Sequence, residues 1–545
     1  MSSKSFNKLR GGYYTPKAIT DFLANWAIGS NSAARVLEPS CGDGRFISSI
    51  IRQLTALSGD NRIDENQVLG IELYKEEAQK AACYGGKIVA ADFFSYYRDN
   101  IKNKTTFDAV VGNPPFIRYQ NFEEKYRECA FSLVESAGIK LNRLTNIWVP
   151  FLILSTECLA SNGRIGMVIP AELFQVDYAA ETRKYLSEKY DHIVVITFRK
   201  LLFEDIQQEV ILLLGEKTST DKGIEVYELN GAEDLASFVP KGNGEIKELD
   251  VGTDKWVKYY LTNPELRLLR RLEQSERLTP VTSLFEVNVG VVSGQNAFFV
   301  IDKKRRDGYS LASSVRPIIG KAEQLKGIYL SDKDFSVLSE KGKKVFLFSP
   351  QDVDFSDLPY ADQKYIEWGE SENYHIGYKC RIRKHWYIVP QSWAPEAFLL
   401  RQVNRYPRII FNSTNATNTD TLHKIRFFDA IDGKRVVAAF INSFTFAQCE
   451  VTGRSYGGGV LTFEPNEIRK LKIPTQMAKE LDFEYIDSVL RKDRIEDALN
   501  YVDGITLRKG MGLSHEENIM LRGIWEKLSS RRMGRKEEKK TQTWG

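Results

Sequence analysis

Apolar and polar positions alternate regularly over the first part of the chain. The apolar runs are 35–37, 68–73, 87–91, 107–111, 164–169, 192–198 and 209–214, and helical periodicity covers 18–26, 46–57, 75–83 and 148–159. This alternation of strands and helices predicts an α/β fold with a largely parallel sheet. The last two runs lie only about ten residues apart, a spacing that favours an antiparallel hairpin at the edge of the sheet over a crossover helix.

The pattern changes twice further along the chain. Residues 218–252 are polar and irregular, which indicates edge structure and a linker. Beyond Asp254, short aromatic and β-branched runs alternate with Gly, Pro, Asn and Asp, as expected for a mixed α+β domain. The predicted domains are therefore 1–250, 251–475 and 476–545. The third is helical and charged, and we expect a disordered tail of about a dozen residues.

Composition narrows the class of protein. The 545 residues exceed what one compact core holds, and 42% hydrophobic with 27% charged residues is ordinary for a globular chain. We see no apolar run of about 18 residues and no apolar signal core at the N-terminus. Six cysteines without a CxxC pair argue against a disulfide framework and a zinc site. These features predict a cytoplasmic protein with no metal site and no membrane contact.

Basic clusters give a stronger indication than the net charge of +4. They are Lys303, Lys304, Arg305 and Arg306; residues 379–384, with Arg383 and Lys384; and the tail 531–540. Any one of them could be an ordinary solvated surface. Together with nearby aromatic residues such as Trp386 and Tyr387, they favour a groove that binds phosphates.

A glycine-containing loop follows the first apolar run and leads into a helix. It reads Glu38-Pro39-Ser40-Cys41-Gly42-Asp43-Gly44. Glycine lets a ligand approach the backbone, and a helix N-terminus offers free N–H groups. The loop is neither the dinucleotide fingerprint nor a P-loop. An acid before the glycines would repel a pyrophosphate but favour a cation, such as the amino group of a methionine moiety.

The next two apolar runs each end in a carboxylate. Glu72 ends the second run, where an acid can accept hydrogen bonds from ribose hydroxyls. Asp92 ends the third run, where it can accept from an adenine amino group while Phe93 covers the ring. For either acid taken alone, the alternative to a ligand-binding role is an ordinary strand end that faces solvent. Consecutive strands that each end in a suitable group favour a nucleoside-binding edge.

The fourth apolar run leads into Asn113-Pro114-Pro115-Phe116. The two prolines fix the backbone and lack N–H donors, so the turn presents the Asn113 side-chain oxygen and the Pro114 carbonyl as acceptors. An exocyclic amino group offers two donors that match them, and Phe116 can stack on the base that carries it. A merely structural turn is the alternative. The sequence predicts a site that methylates a planar amine.

These motifs resemble the gamma-class amino-methyltransferases, the TaqI-like and Eco57I-like DNA adenine methylases of restriction–modification systems. A further family motif appears as Gly12-Tyr13-Tyr14-Thr15-Pro16. The chain departs from the family pattern in having Phe116 rather than Tyr, but Phe can still stack on the base. Segments 289–298, 383–387 and 453–459 resemble the family's target-recognition domain. The resemblance implies a Rossmann-like S-adenosylmethionine-dependent sheet with an antiparallel edge hairpin, followed by an α+β recognition domain.

The resemblance also implies roles for individual residues. The cofactor S-adenosyl-L-methionine would be bound by Thr15, Pro16, Glu38, Pro39, Ser40, Gly42, Gly44, Glu72, Asp92, Phe93 and Asn113. The target base would be held by Asn113, Pro114, Pro115 and Phe116, with Phe203 as a second stacking ring. Double-stranded DNA would be contacted by Lys303, Lys304, Arg305, Arg306, Arg383, Lys384 and Arg454.

The resemblance implies that a monomer flips adenine out of duplex DNA and methylates N6, in a bacterium or archaeon with a separately encoded cognate endonuclease. Two alternatives stay open. One is methylation of another planar amine or amide, in rRNA guanine or protein glutamine. The other is a DNA-recognition subunit without catalysis, against which the intact Asn113-Pro114-Pro115-Phe116 argues. A dehydrogenase lacks support because the dinucleotide fingerprint is missing.

Overall fold

The computed structural model describes residues 14–59, 63–142, 144–200, 202, 209–240, 244–252, 255–390, 393–456 and 459–542. The chain divides into two compact units, Met1–Leu266 and Arg267–Gly545. The proposed second stacking ring, Phe203, lies outside the described residues. Within the described part of the chain, no helix is long and apolar enough to cross a membrane.

An eight-stranded sheet forms the centre of the first unit. Its strands are β1 Val36–Glu38, β2 Val68–Glu72, β3 Lys87–Ala90, β4 Phe107–Gly112, β5 Leu159–Pro170, β6 His192–Phe198, β7 Val210–Glu216 and β8 Gly223–Leu229. They lie in the order β3-β2-β1-β4-β5-β7-β6-β8. All neighbours pair in parallel except β7, which runs antiparallel to both β5 and β6. The prediction of a mainly parallel α/β sheet is confirmed.

The antiparallel hairpin differs from the prediction in one respect. Strands β6 and β7 do form it, but β7 inserts between β5 and β6, and β8 pairs in parallel outside β6. The edge strand therefore comes from the segment 218–252, which the sequence marked as edge structure and linker. Its polar alternation suits an edge, since its residues from Tyr227 onward are half-buried or exposed.

Helices connect the parallel strands of this sheet. They are α2 Arg45–Ser58, α3 Lys75–Ala82, α4 Phe93–Tyr96, α5 Glu124–Ser136, α6 Trp148–Glu157 and α7 Ala180–Lys189. Helix α1 Lys17–Ile28 precedes β1, and α8 Asn263–Glu273 contains the boundary at Leu266 between the two units. In α2 the buried residues Phe46, Ile50 and Leu54 recur every four positions, so one face packs on the sheet. They share a core with Leu23 of α1 and Val36 of β1.

The second unit contains several small sheets. Its strands are β9 Thr279–Pro280, β10 Phe285–Val289, β11 Val300–Ile301, β12 Val315–Ile319, β13 Tyr329–Leu330, β14 Phe346–Phe348, β15 Ala397–Leu400, β16 Gln402–Val403, β17 Ile409–Asn412, β18 Thr417–Asn418, β19 Leu422–Phe427, β20 Arg454–Tyr456, β21 Val460–Thr462 and β22 Lys472–Ile473. The largest sheets have the orders β10-β19-β15-β17-β13 and β11-β14-β12-β18. These short strands confirm the expected α+β character.

The helices of the second unit are α9 Asn296–Phe299, α10 Lys303–Gly308, α11 Asp332–Glu340, α12 Tyr360–Ser371, α13 Tyr378–Arg381, α14 Gly433–Ala439, α15 Ser443–Thr452, α16 Pro465–Ile468, α17 Phe483–Arg491, α18 Ile495–Asp503 and α19 His515–Gln542. Helix α19 runs through a stretch rich in Arg, Lys and Glu, which are good helix formers. Its backbone is thus helical into the last dozen residues, for which the sequence predicted disorder. The predicted third domain, 476–545, falls within the second unit.

Candidate active site

A cleft opens at the carboxyl edge of the parallel strands, where the ends of β1, β2 and β4 meet. It is lined by Thr15, Glu38, Pro39, Ser40, Gly42, Glu72, Asp92, Phe93, Asn113 and Pro115 among others. Four further predicted residues flank this lining. Pro16 precedes α1, Gly44 precedes α2, Pro114 is buried, and half-buried Phe116 packs against the core of the unit. The fold thus brings most of the predicted site residues together in one place.

The loop between β1 and α2 depends on two glycines. Gly42 and Gly44 have φ angles of +52° and +91°, a region that other residues rarely adopt. A Cβ on Gly44 would lie 2.6 Å from the Cα of Ala81 in α3. Gly44 is therefore required both by its backbone conformation and by the close approach of α3.

Glu72 holds this loop as well as facing the cleft. Its carboxylate accepts hydrogen bonds from the Gly42 N–H at 2.9 Å and from the Tyr74 N–H at 3.0 Å. A carboxylate offers about four lone-pair positions, so these two bonds leave capacity for further donors. Glu72 is thus a strand-end acid that also shapes the glycine loop.

Glu38 is the most deeply buried acid of the cleft, with 1% of its surface exposed. Burial, and the negative charges of Glu72 and Asp43, raise the pKa of Glu38 well above its usual range. Within the described residues, its Oε2 atom is buried and has no hydrogen-bond partner. A buried carboxylate among other acids is costly unless a cation is supplied. This arrangement fits a positively charged amino group.

The third strand end combines an acid with stacked rings. Asp92 accepts a hydrogen bond from the Ser95 N–H at the start of α4, and burial raises the pKa of Asp92. Phe93 stacks on Phe151 of α6, with 5.1 Å between ring centroids and 15° between planes. Both rings line the cleft. Sequence reasoning assigned no role to Phe151, since only its place in an apolar helix was visible.

Asn113 is held in a defined orientation. Its Nδ2 donates to the hydroxyl of Thr15 at 3.1 Å, and the Ser40 hydroxyl donates to the Asn113 carbonyl at 3.4 Å. Thr15 is buried and lies 98 residues away in sequence. The amide plane is thus fixed by a contact between the segment before α1 and the turn after β4. Among the described residues, no histidine lines the cleft.

The basic cluster at the start of α10 is only partly exposed. Lys303 and Lys304 face solvent. The guanidinium of Arg305 lies over the ring of Trp368, and that of Arg306 over the ring of Phe346, each at 4.5 Å from the centroid. Cation–π packing gives the two arginines a structural role. The exposed positive charge of this cluster comes mainly from its lysines.

The other predicted DNA contacts also differ from one another. Lys384 is exposed, whereas Arg383 donates to the Val292 carbonyl at 2.9 Å and is half-buried. Arg454 forms an ion pair with buried Glu467. The sequence could not distinguish these arginines from exposed ones because their partners are distant in sequence.

The strand order and the chemistry of the cleft define a Rossmann-like methyltransferase of the S-adenosylmethionine-dependent class. Residues 50–203 match the family model for the Eco57I restriction-modification methylase, and residues 253–507 match the C-terminal domain of the Type II methyltransferase M.Eco57I. The chain belongs to the gamma-class, Eco57I-like methyltransferases, which are DNA methyltransferases of restriction-modification systems. S-adenosyl-L-methionine is its cofactor.

Individual relatives agree with this assignment. Type II methyltransferase M.AccI of Acinetobacter calcoaceticus is 26% identical over 482 residues, which cover 84% of each chain. Type II methyltransferase M.XamI of Xanthomonas campestris pv. amaranthicola is 22% identical, with 85% of each chain covered. The solved Type IIL restriction-modification enzyme MmeI, in complex with DNA, has the same fold, with a TM-score of 0.57 at 13% identity. That likeness covers 97% of this chain and 80% of MmeI.

Proposed function

We propose that the chain methylates the N6 amino group of adenine in double-stranded DNA, acting on a base flipped out of the duplex. It would serve as the modification enzyme of a bacterial or archaeal restriction–modification system, as a cytoplasmic monomer beside a separate endonuclease. The observation that carries this proposal is the turn after β4, where the Asn113 amide is held by Thr15 at the edge of the cleft.

The turn suits an exocyclic amine for an electronic reason. The lone pair of such an amine is delocalised into the ring, so its nitrogen is a poor nucleophile. Acceptors at Asn113 Oδ1 and at the Pro114 carbonyl would draw electron density toward the nitrogen and favour a tetrahedral geometry. The Asn113 Nδ2 donates to Thr15, so Oδ1 lies on the other side of the side-chain amide. Preorganised acceptors of this kind act without reorganisation during the reaction.

The carboxylates of the cleft would hold the cofactor. Buried Glu38 would face its amino group, Glu72 its ribose and Asp92 its adenine, beside the stacked rings of Phe93 and Phe151. When bound, S-adenosylmethionine supplies an electrophilic methyl group on a sulfonium. No strong general base is needed to activate the amine, which agrees with the absence of histidine from the cleft lining in the described part of the chain.

Base flipping requires binding energy, since unstacking one base costs a few kcal/mol. We assign this contribution to stacking on Phe116, with Phe203 as a proposed second ring, and to phosphate contacts by the second unit. Exposed Lys303, Lys304 and Lys384 are the candidates for those contacts. The solved complex of MmeI with DNA, an enzyme that has the same fold, supports DNA as the substrate.

Product analysis tests this proposal directly. Unmodified genomic DNA is incubated with the protein and methyl-labelled S-adenosylmethionine, digested to nucleosides and separated by mass. We expect label in N6-methyl-2′-deoxyadenosine, and none when Asn113→Ala replaces the protein, although its cofactor affinity stays near normal. Label in a cytosine nucleoside would refute adenine specificity. So would unlabelled DNA if rRNA or protein takes up label in a parallel reaction.

A further inference from the structure

The second unit exposes large apolar side chains within one short segment. Ile376, Tyr378 and Ile382 have 57%, 66% and 61% of their surface exposed. Side chains of this size are normally covered, and clustered exposed ones indicate a binding surface. In the sequence, this segment was notable only for its positive charge.

The backbone of α13 holds two of these side chains together. Tyr378 begins the helix, and the Ile382 N–H donates to the Tyr378 carbonyl at 3.3 Å. Residues four positions apart lie on the same side of a helix. Cys380, between them, is fully buried and fastens the opposite side of the helix to the unit. Tyr378 and Ile382 are therefore displayed on a supported element.

A second segment supports the same element. A Cβ on Gly294, which has a φ of +82°, would lie 2.5 Å from the Cβ of Lys379. Arg383 donates to the carbonyl of Val292, a residue that is itself 42% exposed. The loop 291–295 and the segment 376–384, which the sequence marked separately, thus form one surface.

This surface is strongly basic. Lys379, Arg381 and Lys384 are exposed, and no acidic residue occurs between positions 374 and 387. The carboxylate of Glu370 nearby is engaged by the indole N–H of Trp386 at 2.9 Å. Exposed apolar side chains among cations match a DNA groove, in which bases lie between two rows of phosphates.

We infer that Ile376, Tyr378, Lys379, Arg381, Ile382 and Lys384, termed the Tyr378 surface, enter a groove of the target duplex. The apolar side chains would contact bases or a base step, and the cations the flanking phosphates. This inference rests on the proposed function and adds a base-reading element to it. A protein partner would not require exposed cations with no acid over 374–387, so duplex DNA is the occupant that the charges favour.

Two groups of substitutions separate the roles. The apolar variant combines Ile376→Ser, Tyr378→Ala and Ile382→Ser, and the charge variant combines Lys379→Gln and Arg381→Gln. Matched controls in the same unit are Tyr360→Ala, whose side chain is 70% exposed, and Lys341→Gln with Lys343→Gln, both exposed. The probes are a labelled duplex with the target sequence, found by modification calling of methylated DNA, and a scrambled duplex of equal length. Binding is measured over a range of salt concentrations with the full chain.

The apolar variant should lose roughly 10- to 100-fold in affinity for the target duplex, with little loss for the scrambled one, since base contacts specify and phosphate contacts position. The charge variant should weaken binding to both duplexes. It should also reduce the slope of the logarithm of the binding constant against the logarithm of the salt concentration. The expected reduction is about 0.9 for each phosphate that Lys379 and Arg381 neutralise in the unaltered chain. Both controls should bind like the unaltered chain.

Unchanged affinity and salt slope in both variants would overturn the inference, while methylation by the unaltered chain would leave the proposed function standing. A change of oligomeric state on size-exclusion chromatography with unaltered DNA binding would also overturn it, because the surface would then join proteins. If the unaltered chain methylates no duplex, the proposed function itself fails. Circular dichroism on each variant identifies a loss of folding, and single substitutions then replace the combined ones.

Discussion

At the scale of single residues, the central interaction is the hydrogen bond between Asn113 and Thr15. We predict that Thr15→Val lowers kcat by roughly 10- to 100-fold while KM for the cofactor changes by only a few-fold, because the amide loses its fixed orientation. Thr15→Ser keeps the hydroxyl and should retain most of the rate. Single-turnover methylation of the target duplex measures both variants. A valine variant with a normal rate beside a slower serine variant would show that Thr15 acts by shape alone.

Glu38 provides a second prediction at this scale. Burial raises its pKa, so the native state binds this proton more tightly than the unfolded state, whose carboxyl has a pKa of about 4.5. The stability of the cofactor-free protein should therefore fall as pH rises above that value toward the native pKa. Glu38→Gln should remove this decline and make the cofactor-free protein more stable at neutral pH, as urea unfolding can measure.

The same substitution should weaken the binding of the cofactor. A hydrogen bond to a charged group contributes about 1.5–3 kcal/mol, so Glu38→Gln should reduce S-adenosylmethionine affinity by at least roughly 10-fold. Calorimetric titration measures this, with exposed Glu65→Gln as the control. A variant with normal cofactor affinity would show that Glu38 is a buried acid without a role in cofactor binding.

At the scale of elements, a buried histidine joins three strands on the side of the sheet away from β1 to β3. His192 of β6 contacts Glu216 of β7 at 3.2 Å through Nδ1 and Glu225 of β8 at 2.9 Å through Nε2. Burial alone lowers the pKa of His192, but hydrogen bonds to Glu216 and Glu225 outweigh it, so the pKa lies above 6.5. The His192 ring thus links the hairpin to β8, and both carboxylates favour its protonated form.

This linkage predicts a pH dependence of stability. Because the native pKa is raised, the stabilisation is fully present below pH 6.5 and is lost as pH rises through the native pKa. His192→Gln should remove this contribution to the pH dependence of the free energy of unfolding, whereas His515→Gln, at an exposed histidine, should keep it. Urea unfolding between about pH 6 and 9 measures both. An identical slope in the His192 variant would contradict the assignment of the charge to this ring.

At the scale of the molecule, the C-terminal helix lies within the second unit. Arg532 of α19 and Glu450 of α15 are 3% and 2% exposed and form a bidentate pair, with distances of 2.7 and 3.0 Å. Burial raises the pKa of Glu450 even though Arg532 lowers it. Arg532 also donates to the Asn404 carbonyl at 2.9 Å.

Arg532→Ala should therefore destabilise the second unit by about 3–5 kcal/mol, since it leaves a buried carboxylate without its partner. The exposed pair of Arg405 and Asp493 is the matched control, and Arg405→Ala should cost at most about 1 kcal/mol. Urea unfolding of the full chain compares the two. A loss of only about 1 kcal/mol for Arg532→Ala, as for an exposed pair, would mean that this contact of the C-terminal helix contributes little to the unit.

The sequence by itself determined the parallel strands β1 to β4 and which residues lie at their carboxyl edge. Periodicity specified β1 to β4, and parallel strands place their carboxyl ends together, so Glu38, Glu72, Asp92 and Asn113 had to converge. Because each of these residues ends its own strand or follows it closely, local pattern was sufficient. The roles of these residues remain predictions for the variants above to test.

Tertiary structure alone decided which residues are available to act. Arg306 packs on a ring and Arg454 pairs with Glu467, although their sequence neighbourhoods look like those of exposed cations. The contact of Thr15 with Asn113 and the stack of Phe151 on Phe93 likewise join segments far apart in the chain. Local pattern records only which side of an element is apolar. Which partner meets a side chain depends on packing between elements, and a single sequence does not contain that information in readable form.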